Sequence, residues 1–208
     1  HNQINPMTTN TEFSNVAEDL EWRGALFDAT PGAAHALATE KITCYNGFDP
    51  TAPSLHIGNL VPVMGLVRLQ QYGHTPIALV GGGTGMIGDP AGRADERTLM
   101  SVAEVDENVE AIRLQLEPFL DFNAKSNPAR MVNNADWLRT TELLPFLRDI
   151  GKHFTVNSMM GRDSVKGRFD RDSGISFTEF SYQLLQAYDF LKLFEKDQVG
   201  FQAGGSDQ

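Results

Sequence analysis

The fold is decided by residues 41–83, which read KITCYNGFDPTAPSLHIGNLVPVMGLVRLQQYGHTPIALVGGG. A β-rich run at 41–48 leads into a proline-rich loop and then a helical pattern of apolar residues over 55–72. The short apolar run at 75–80 has the composition of a buried strand and ends in three glycines. Strand, helix and strand in this order predict two parallel strands joined by a right-handed crossover.

The same alternation extends outward from this unit. Helical patterns lie at 11–29, 33–38, 102–120, 136–150 and 177–194, and short extended candidates lie at 130–133 and 199–202. Helices alternating with strands predict an α/β fold built on a parallel sheet. Because ligands bind beyond the carboxyl ends of such strands, the loops after residues 48, 80 and 201 should converge.

Composition limits the class of protein. The chain has 208 residues, of which 41% are hydrophobic and 21% charged, as in ordinary globular domains. A net charge of −10 argues against indiscriminate binding to nucleic acid or anionic membranes. Cys44 is the single cysteine, so an intrachain disulfide and a multi-cysteine metal site are excluded, and a cytoplasmic location is expected. No apolar run or signal-peptide pattern predicts a membrane segment.

The first loop carries residues suited to a phosphate. Ser54 is predicted to cap a helix whose first turn holds His56, Gly58 and Asn59. A helix N-terminus attracts anions, His56 adds a hydrogen-bond donor, and Gly58 lets a flat base approach the main chain. A capped helix with an incidental histidine and glycine is the alternative.

The second loop contains a pattern found in dinucleotide-binding folds. Gly83 to Gly88 satisfies G-x-G-x-x-G after a strand, which would favour a nicotinamide-dependent oxidoreductase. Asp89 and Pro90 follow at once, where the helix of that fold should run. The pattern by itself is therefore weak, and the oxidoreductase remains a minor alternative.

The third element is a polar stripe on the helix predicted at 177–194. Tyr182, Gln186 and Asp189 are spaced i, i+4 and i+7, so they lie on one face of that helix. A buried carboxylate without a partner is costly, so the stripe should face either water or a polar cavity. The pattern leaves both possibilities open.

Taken together, these segments resemble a known family. The stretch 45–59, YNGFDPTAPSLHIGN, closely resembles the ATP-binding signature of bacterial tyrosine–tRNA ligases, although Asn59 stands where the family's His-Ile-Gly-His tetrapeptide ends in histidine. The Gly-Asp-Pro at 88–90, NNADW at 133–137, FTEFSYQLLQAYDF at 177–190 and GGSDQ at 204–208 are similar to further segments in the family's order. The resemblance runs from residue 42 to residue 208.

The resemblance implies a Rossmann-like catalytic domain that joins L-tyrosine to tRNA(Tyr) through tyrosyl-adenylate. The residues it assigns to tyrosine are Tyr45, Asp89, Tyr182, Gln186, Asp189 and Gln208. The residues it assigns to ATP are Gly47, Asp49, Thr51, His56, Gly58, Asn59, Gly205 and Asp207. Transition-state donors are expected at Thr51, His56, Arg93 and Arg97. Asn134 is implied to support the site indirectly. Mg²⁺ is expected with ATP as co-substrate, with no protein metal site and no tightly bound cofactor.

The resemblance also implies a division of the chain. Residues 1–40 are interpreted as a tag remnant and helices, and 41–208 as the catalytic domain, interrupted by a helical connective and dimerisation insertion at about 100–175. A homodimer with Phe177 at the contact is expected. The family's second signature loop and anticodon-binding region would lie beyond residue 208, so impaired catalysis by these residues alone is expected. A non-catalytic tyrosine-binding module derived from such a ligase is the alternative.

Overall fold

The computed structural model describes residues 13–89, 100–162, 165 and 174–205. The strands are β1 (Thr43–Phe48), β2 (Thr75–Val80), β3 (Arg130–Asn133) and β4 (Val199–Gln202). The helices are α1 (Val16–Trp22), α2 (Ala33–Thr39), α3 (Leu60–Gln71), α4 (Val102–Leu116), α5 (Ala135–Leu138), α6 (Leu143–Asp149), α7 (Val156–Met160) and α8 (Phe177–Asp197).

The four strands form one parallel sheet in the order β3-β2-β1-β4. Tyr45 lies opposite Ile77 across the central pair of strands, and Tyr45 also aligns with Gln202 on the other side. The predicted α/β class with a parallel sheet is therefore confirmed. Within the described residues, no helix is both long enough and apolar enough to cross a bilayer.

Each face of the sheet carries its own hydrophobic cluster. Cys44 and Phe48 join the cluster that includes Leu66 of α3 and Ile112 of α4. Tyr45, the neighbour of Cys44, belongs to a second cluster. Its other buried members are Ile77, Leu79, Trp137, Leu193 and Val199. Successive side chains of a strand point to opposite faces, so β1 sends Tyr45 towards α8 while α3 and α4 cover the other side.

The helix predicted from residue 55 begins later, at Leu60, and Ser54 does not cap it. Residues 57–59 form a single 3-10 turn instead. Pro62 gives the physical reason, because it has no N–H to bond the carbonyl of Gly58 and its ring would clash with that carbonyl in a longer helix. His56 and Gly58 therefore precede the helix rather than form its first turn.

The helix predicted at 136–150 is split into α5 and α6. The hydroxyls of Thr140 and Thr141 donate to the carbonyl of Trp137, 3.1 and 2.7 Å away, and end α5. Pro145 in the first turn of α6 cannot supply the N–H that a continuous helix would need. Near the N-terminus, the described part of the pattern at 11–29 contains only the short helix α1.

Candidate functional site

The loops after β1 and β2 meet at the carboxyl edge of the sheet, as predicted. The Gly81 N–H donates to the carbonyl of Phe48 at 3.0 Å. Gly81 allows this approach because a Cβ there would clash with the carboxylate of Asp49 and the hydroxyl of Thr84. After β4, the Ala203 N–H donates to the carbonyl of Tyr45 at 2.8 Å, which brings the third loop to the same edge.

A chain of hydrogen bonds connects these loops to α8. The Tyr182 hydroxyl donates to Asp49 Oδ2 at 2.8 Å, and the Thr84 hydroxyl donates to Asp49 Oδ1 at 2.6 Å. Asn134 Nδ2 then donates to both Thr84 Oγ1, at 3.0 Å, and Asp189 Oδ2, at 2.8 Å. Tyr182 and Asp189 of the polar stripe therefore meet polar side chains of these loops rather than open solvent.

Asp189 is a buried carboxyl group with two donors. It is 3% exposed, and Trp137 Nε1 donates to its Oδ1 at 2.7 Å in addition to the bond from Asn134. Burial raises the pKa of Asp189 to about 7, although the bonds from Asn134 and Trp137 lower it, and the charge of Asp49 raises it further. The group is thus poised to change its charge near neutral pH.

Tyr45 presents a hydroxyl that is buried without a hydrogen bond. Its side chain is 1% exposed, and its ring lies 5.6 Å from that of Phe190. Within the described part of the chain, the hydroxyl has no hydrogen-bond partner. Burial raises the pKa of Tyr45, and so does the nearby charge of Asp189. An unpartnered hydroxyl close to a carboxylate is a site for a group that can both accept and donate a hydrogen bond.

The other end of the stripe is strongly acidic. Burial raises the pKa of Tyr182 well above its usual value, and the charges of Asp49, Asp89 and Asp189 raise it further. These carboxylates create a negative potential that favours a bound cation. Gln186 is half-buried on the same face of α8, one turn beyond Tyr182.

The residues expected to bind ATP lie mainly in the loop after β1. Pro50 is buried and Thr51 half-buried, whereas His56 is exposed. The His56 N–H donates to Asn59 Oδ1 at 3.0 Å, and the His56 ring lies against Gly58, where a Cβ would be 3.0 Å from it. Gly47 near the end of β1 and Gly205 after β4 are both exposed. Arg93, Arg97, Asp207 and Gln208 lie outside the described residues.

The sequence did not predict a role for two residues of this network. Thr84 was part of a glycine motif, and Trp137 was only part of a resembling segment, yet both donate to carboxylates of the site. Trp137 lies in α5, which follows β3 at the edge where ligands bind, and this position was the available signal. In the glycine motif, residues 84–86 form one 3-10 turn rather than the start of an α-helix, which contradicts a dinucleotide-binding interpretation.

Known proteins are similar to this chain in sequence. A profile of the family described as tRNA synthetases class I (W and Y) matches residues 37–208. The tyrosine–tRNA ligase of Roseiflexus castenholzii is 55% identical over 195 residues, which are 94% of this chain and 46% of that protein. The tyrosine–tRNA ligase of Anaeromyxobacter dehalogenans is 59% identical over 194 residues, which are 93% of this chain and 46% of that protein.

A solved structure also resembles the fold. A C-terminally truncated mitochondrial tyrosyl-tRNA synthetase of Aspergillus nidulans superposes with a TM-score of 0.80 at 32% identity. The match covers 95% of this chain and 59% of that chain. This chain therefore spans about half the length of the curated relatives it matches.

Proposed function

Because this chain belongs to the tRNA synthetases class I (W and Y), we propose that it is the amino-acid- and ATP-binding part of an enzyme that joins L-tyrosine to tRNA(Tyr). One observation carries the choice of tyrosine. The buried Tyr45 hydroxyl has no hydrogen-bond partner in the described residues, and it lies within electrostatic reach of the Asp189 carboxylate. Both groups would then face the ring of the bound substrate.

A phenol fits these two groups, and other aromatic side chains do not. The phenol hydroxyl can donate to Asp189 while it accepts from Tyr45. The indole N–H of tryptophan only donates, so it would leave the Tyr45 hydroxyl without a partner. The ring of phenylalanine would form no hydrogen bond with either group and would leave the Tyr45 hydroxyl without a partner, which costs roughly 1–3 kcal/mol.

The acidic end of the stripe would hold the substrate ammonium. Asp89 and Tyr182 lie close enough for the charge of Asp89 to raise the pKa of Tyr182. An ammonium placed there would donate charge-assisted hydrogen bonds to Asp89, Tyr182 and Gln186. Gln208 is proposed to complete the tyrosine site. With the phenol fixed at the Asp189 end of the polar stripe and the ammonium at the Tyr182 end, the substrate carboxylate would be directed towards the loop after β1.

The proposed reaction begins when the tyrosine carboxylate attacks the α-phosphorus of Mg-ATP. The P–O bond to the leaving group breaks, and tyrosyl-adenylate and pyrophosphate form without a covalent enzyme intermediate. Alignment and donors to the phosphate oxygens would supply the catalysis, and Thr51, His56, Arg93 and Arg97 are the proposed donors. The remaining groups proposed for ATP are Gly47, Asp49, Gly58, Asn59, Gly205 and Asp207. Transfer of tyrosine to the 3′ end of tRNA(Tyr) would follow.

Location and assembly are part of the proposal. A lone buried cysteine suits the reducing cytoplasm, where this reaction would serve protein synthesis. A homodimer is also proposed from the family resemblance, with Phe177, which is 76% exposed at the start of α8, at the contact.

Calorimetric titration tests the proposal directly. We expect saturable binding of L-tyrosine and much weaker binding of L-phenylalanine and L-tryptophan. Equal affinity for tyrosine and phenylalanine would rule out the assignment of Tyr45 and Asp189. Exchange of labelled pyrophosphate into ATP, dependent on tyrosine, tests adenylate formation separately.

A further inference from the structure

Helix α4 carries two amide side chains on the face that it turns towards the core. Asn108 and Gln115 are seven residues apart, or about two helical turns, so they lie on the same face. Val105 and Ile112 share that spacing and are buried. Both amides are half-buried. This face of α4 therefore presents polar groups to a neighbouring segment as well as apolar ones.

The neighbouring segment is the loop 50–55, between β1 and the turn that contains His56. Asn108 Nδ2 donates to the carbonyl of Pro50 at 3.1 Å. Gln115 Nε2 donates to the carbonyl of Pro53 at 3.2 Å, and the Leu55 N–H donates to Gln115 Oε1 at 3.0 Å. Residues 50–55 lie in no helix or strand, so side chains supply partners that secondary structure does not.

The loop is also held from its other side. A Cβ on Gly85 would be 3.0 Å from Pro50 Cδ and 3.6 Å from Val105 Cγ1, so the glycine-rich loop packs against both Pro50 and α4. Pro50 is thereby fixed between a rigid turn and a long helix. The amide hydrogen bonds extend this support along the main chain as far as Leu55, the residue before His56.

We propose that Asn108 and Gln115 are positioning residues for ATP: through the main chain of 50–55 they hold Thr51 and His56 where the phosphates bind. The inference rests on the proposed function and deepens it, because it assigns a role in ATP binding to residues that do not touch ATP. A loop without these bonds would have to be ordered when ATP binds, and that cost would weaken binding.

The effect should be confined to ATP. The tyrosine-binding groups Tyr45 and Asp189 lie on the side of the sheet that α8 covers, whereas α4 packs on the opposite face. Loss of the α4 contacts therefore leaves the Asp189 hydrogen bonds from Asn134 and Trp137 in place. A change in ATP affinity without a change in tyrosine affinity separates positioning from a general loss of structure.

Gln70 provides a matched control. Like Gln115, it is a glutamine on a helix whose side-chain amide forms hydrogen bonds with the main chain of a loop. It donates to the carbonyls of Asp121 and Asn127 and accepts from the Asp121 N–H. It lies at the C-terminal end of α3, near the amino-terminal edge of the sheet and away from the site. Gln70→Ala should lose similar hydrogen bonds without affecting the binding of ATP or of tyrosine.

The experiment measures tyrosine-dependent pyrophosphate exchange by the natural chain, including any sequence that follows Gln208, together with calorimetric tyrosine binding. Asn108→Ala should raise the KM for ATP about fivefold and Gln115→Ala about thirtyfold, since one and two main-chain bonds are lost. The Kd for tyrosine should stay within about twofold in both variants, and Gln70→Ala should change neither constant.

The outcomes distinguish this inference from the proposed function. An unchanged KM for ATP in Asn108→Ala and Gln115→Ala, with normal exchange by the unsubstituted chain, refutes the positioning role and leaves the proposed function intact. Parallel losses for ATP and tyrosine, or an equal effect of Gln70→Ala, also refute it, because they indicate a general structural role. Absence of exchange by the unsubstituted chain overturns the proposed function and this inference together.

Discussion

Replacing Tyr45 by phenylalanine should make the ligand-free chain more stable and a poorer binder of tyrosine. The Tyr45 hydroxyl is fully buried and, within the described residues, has no hydrogen-bond partner. Such a group costs roughly 1–3 kcal/mol, and phenylalanine fills the same space without it. For a chain of this size, each kcal/mol raises Tm by about 2–4 °C. Thermal unfolding followed by circular dichroism measures the gain.

The same substitution should remove one hydrogen bond to the bound phenol. A typical hydrogen bond contributes about 1 kcal/mol, so the Kd for L-tyrosine should rise about fivefold. The Kd for L-phenylalanine should not rise, because that ligand never satisfied the Tyr45 hydroxyl. Calorimetric titration with both amino acids gives the ratio of the Kd for L-phenylalanine to the Kd for L-tyrosine, and this ratio is the decisive quantity.

Tyr72→Phe is the matched control for stability. Its hydroxyl forms a side-chain hydrogen bond with Asp19, so removing it should lower Tm rather than raise it. If Tyr45→Phe lowered Tm as Tyr72→Phe does, the Tyr45 hydroxyl would have a partner in the empty protein. If Tyr45→Phe weakened the binding of tyrosine and of phenylalanine equally, Tyr45 would not contact the phenol hydroxyl. Either result refutes the reasoning.

Asp189, Trp137 and Gly83 can each be tested by a single substitution. The pKa of Asp189 is raised to about 7, so between about pH 4 and pH 7 its carboxyl keeps a proton in the folded chain that it has released in the unfolded chain. The free energy of unfolding should therefore fall as pH rises from 4 to 7. Urea titrations of Asp189→Asn should show a smaller fall. Trp137→Phe removes a donor to Asp189 and should raise the Kd for tyrosine about tenfold by calorimetry, with little change for phenylalanine; equal changes would contradict it. Gly83→Ala places a Cβ 2.8 Å from Leu138 Cδ1 and should lower the free energy of unfolding, measured with urea, by about 1–3 kcal/mol. Gly65→Ala, in open space within α3, should instead raise it by up to about 1 kcal/mol.

Much of the fold could be predicted because its signals are local. The strand predicted at 75–80 and those at 130–133 and 199–202 have the observed bounds. A buried parallel strand is a short apolar run bounded by turn residues, and both properties are visible in the sequence. The predicted helix at 55–72 failed at its start because a single residue, Pro62, limits the hydrogen bonding of the first turn.

The candidate site could be predicted only in part. The spacing of Tyr182 and Asp189 places them on one face of a helix, but it does not show what that face meets. Resemblance supplied their expected roles, and the structure supplied their hydrogen-bond partners. Asn108 and Gln115 gave no signal, since amides on an amphipathic helix are ordinarily on its solvated side.

The sequence alone determined the order of the four strands along the chain, and the loops that follow strands 43–48 and 75–80. Those features depend on contacts between residues close in sequence. Only the tertiary structure joined Tyr182 to Asp49, which are 133 residues apart, and Trp137 to Asp189, which are 52 apart. It also left the Tyr45 hydroxyl buried without a partner in the described chain. Burial and long-range hydrogen bonds depend on which surfaces the folded chain brings together, so no local pattern could specify them.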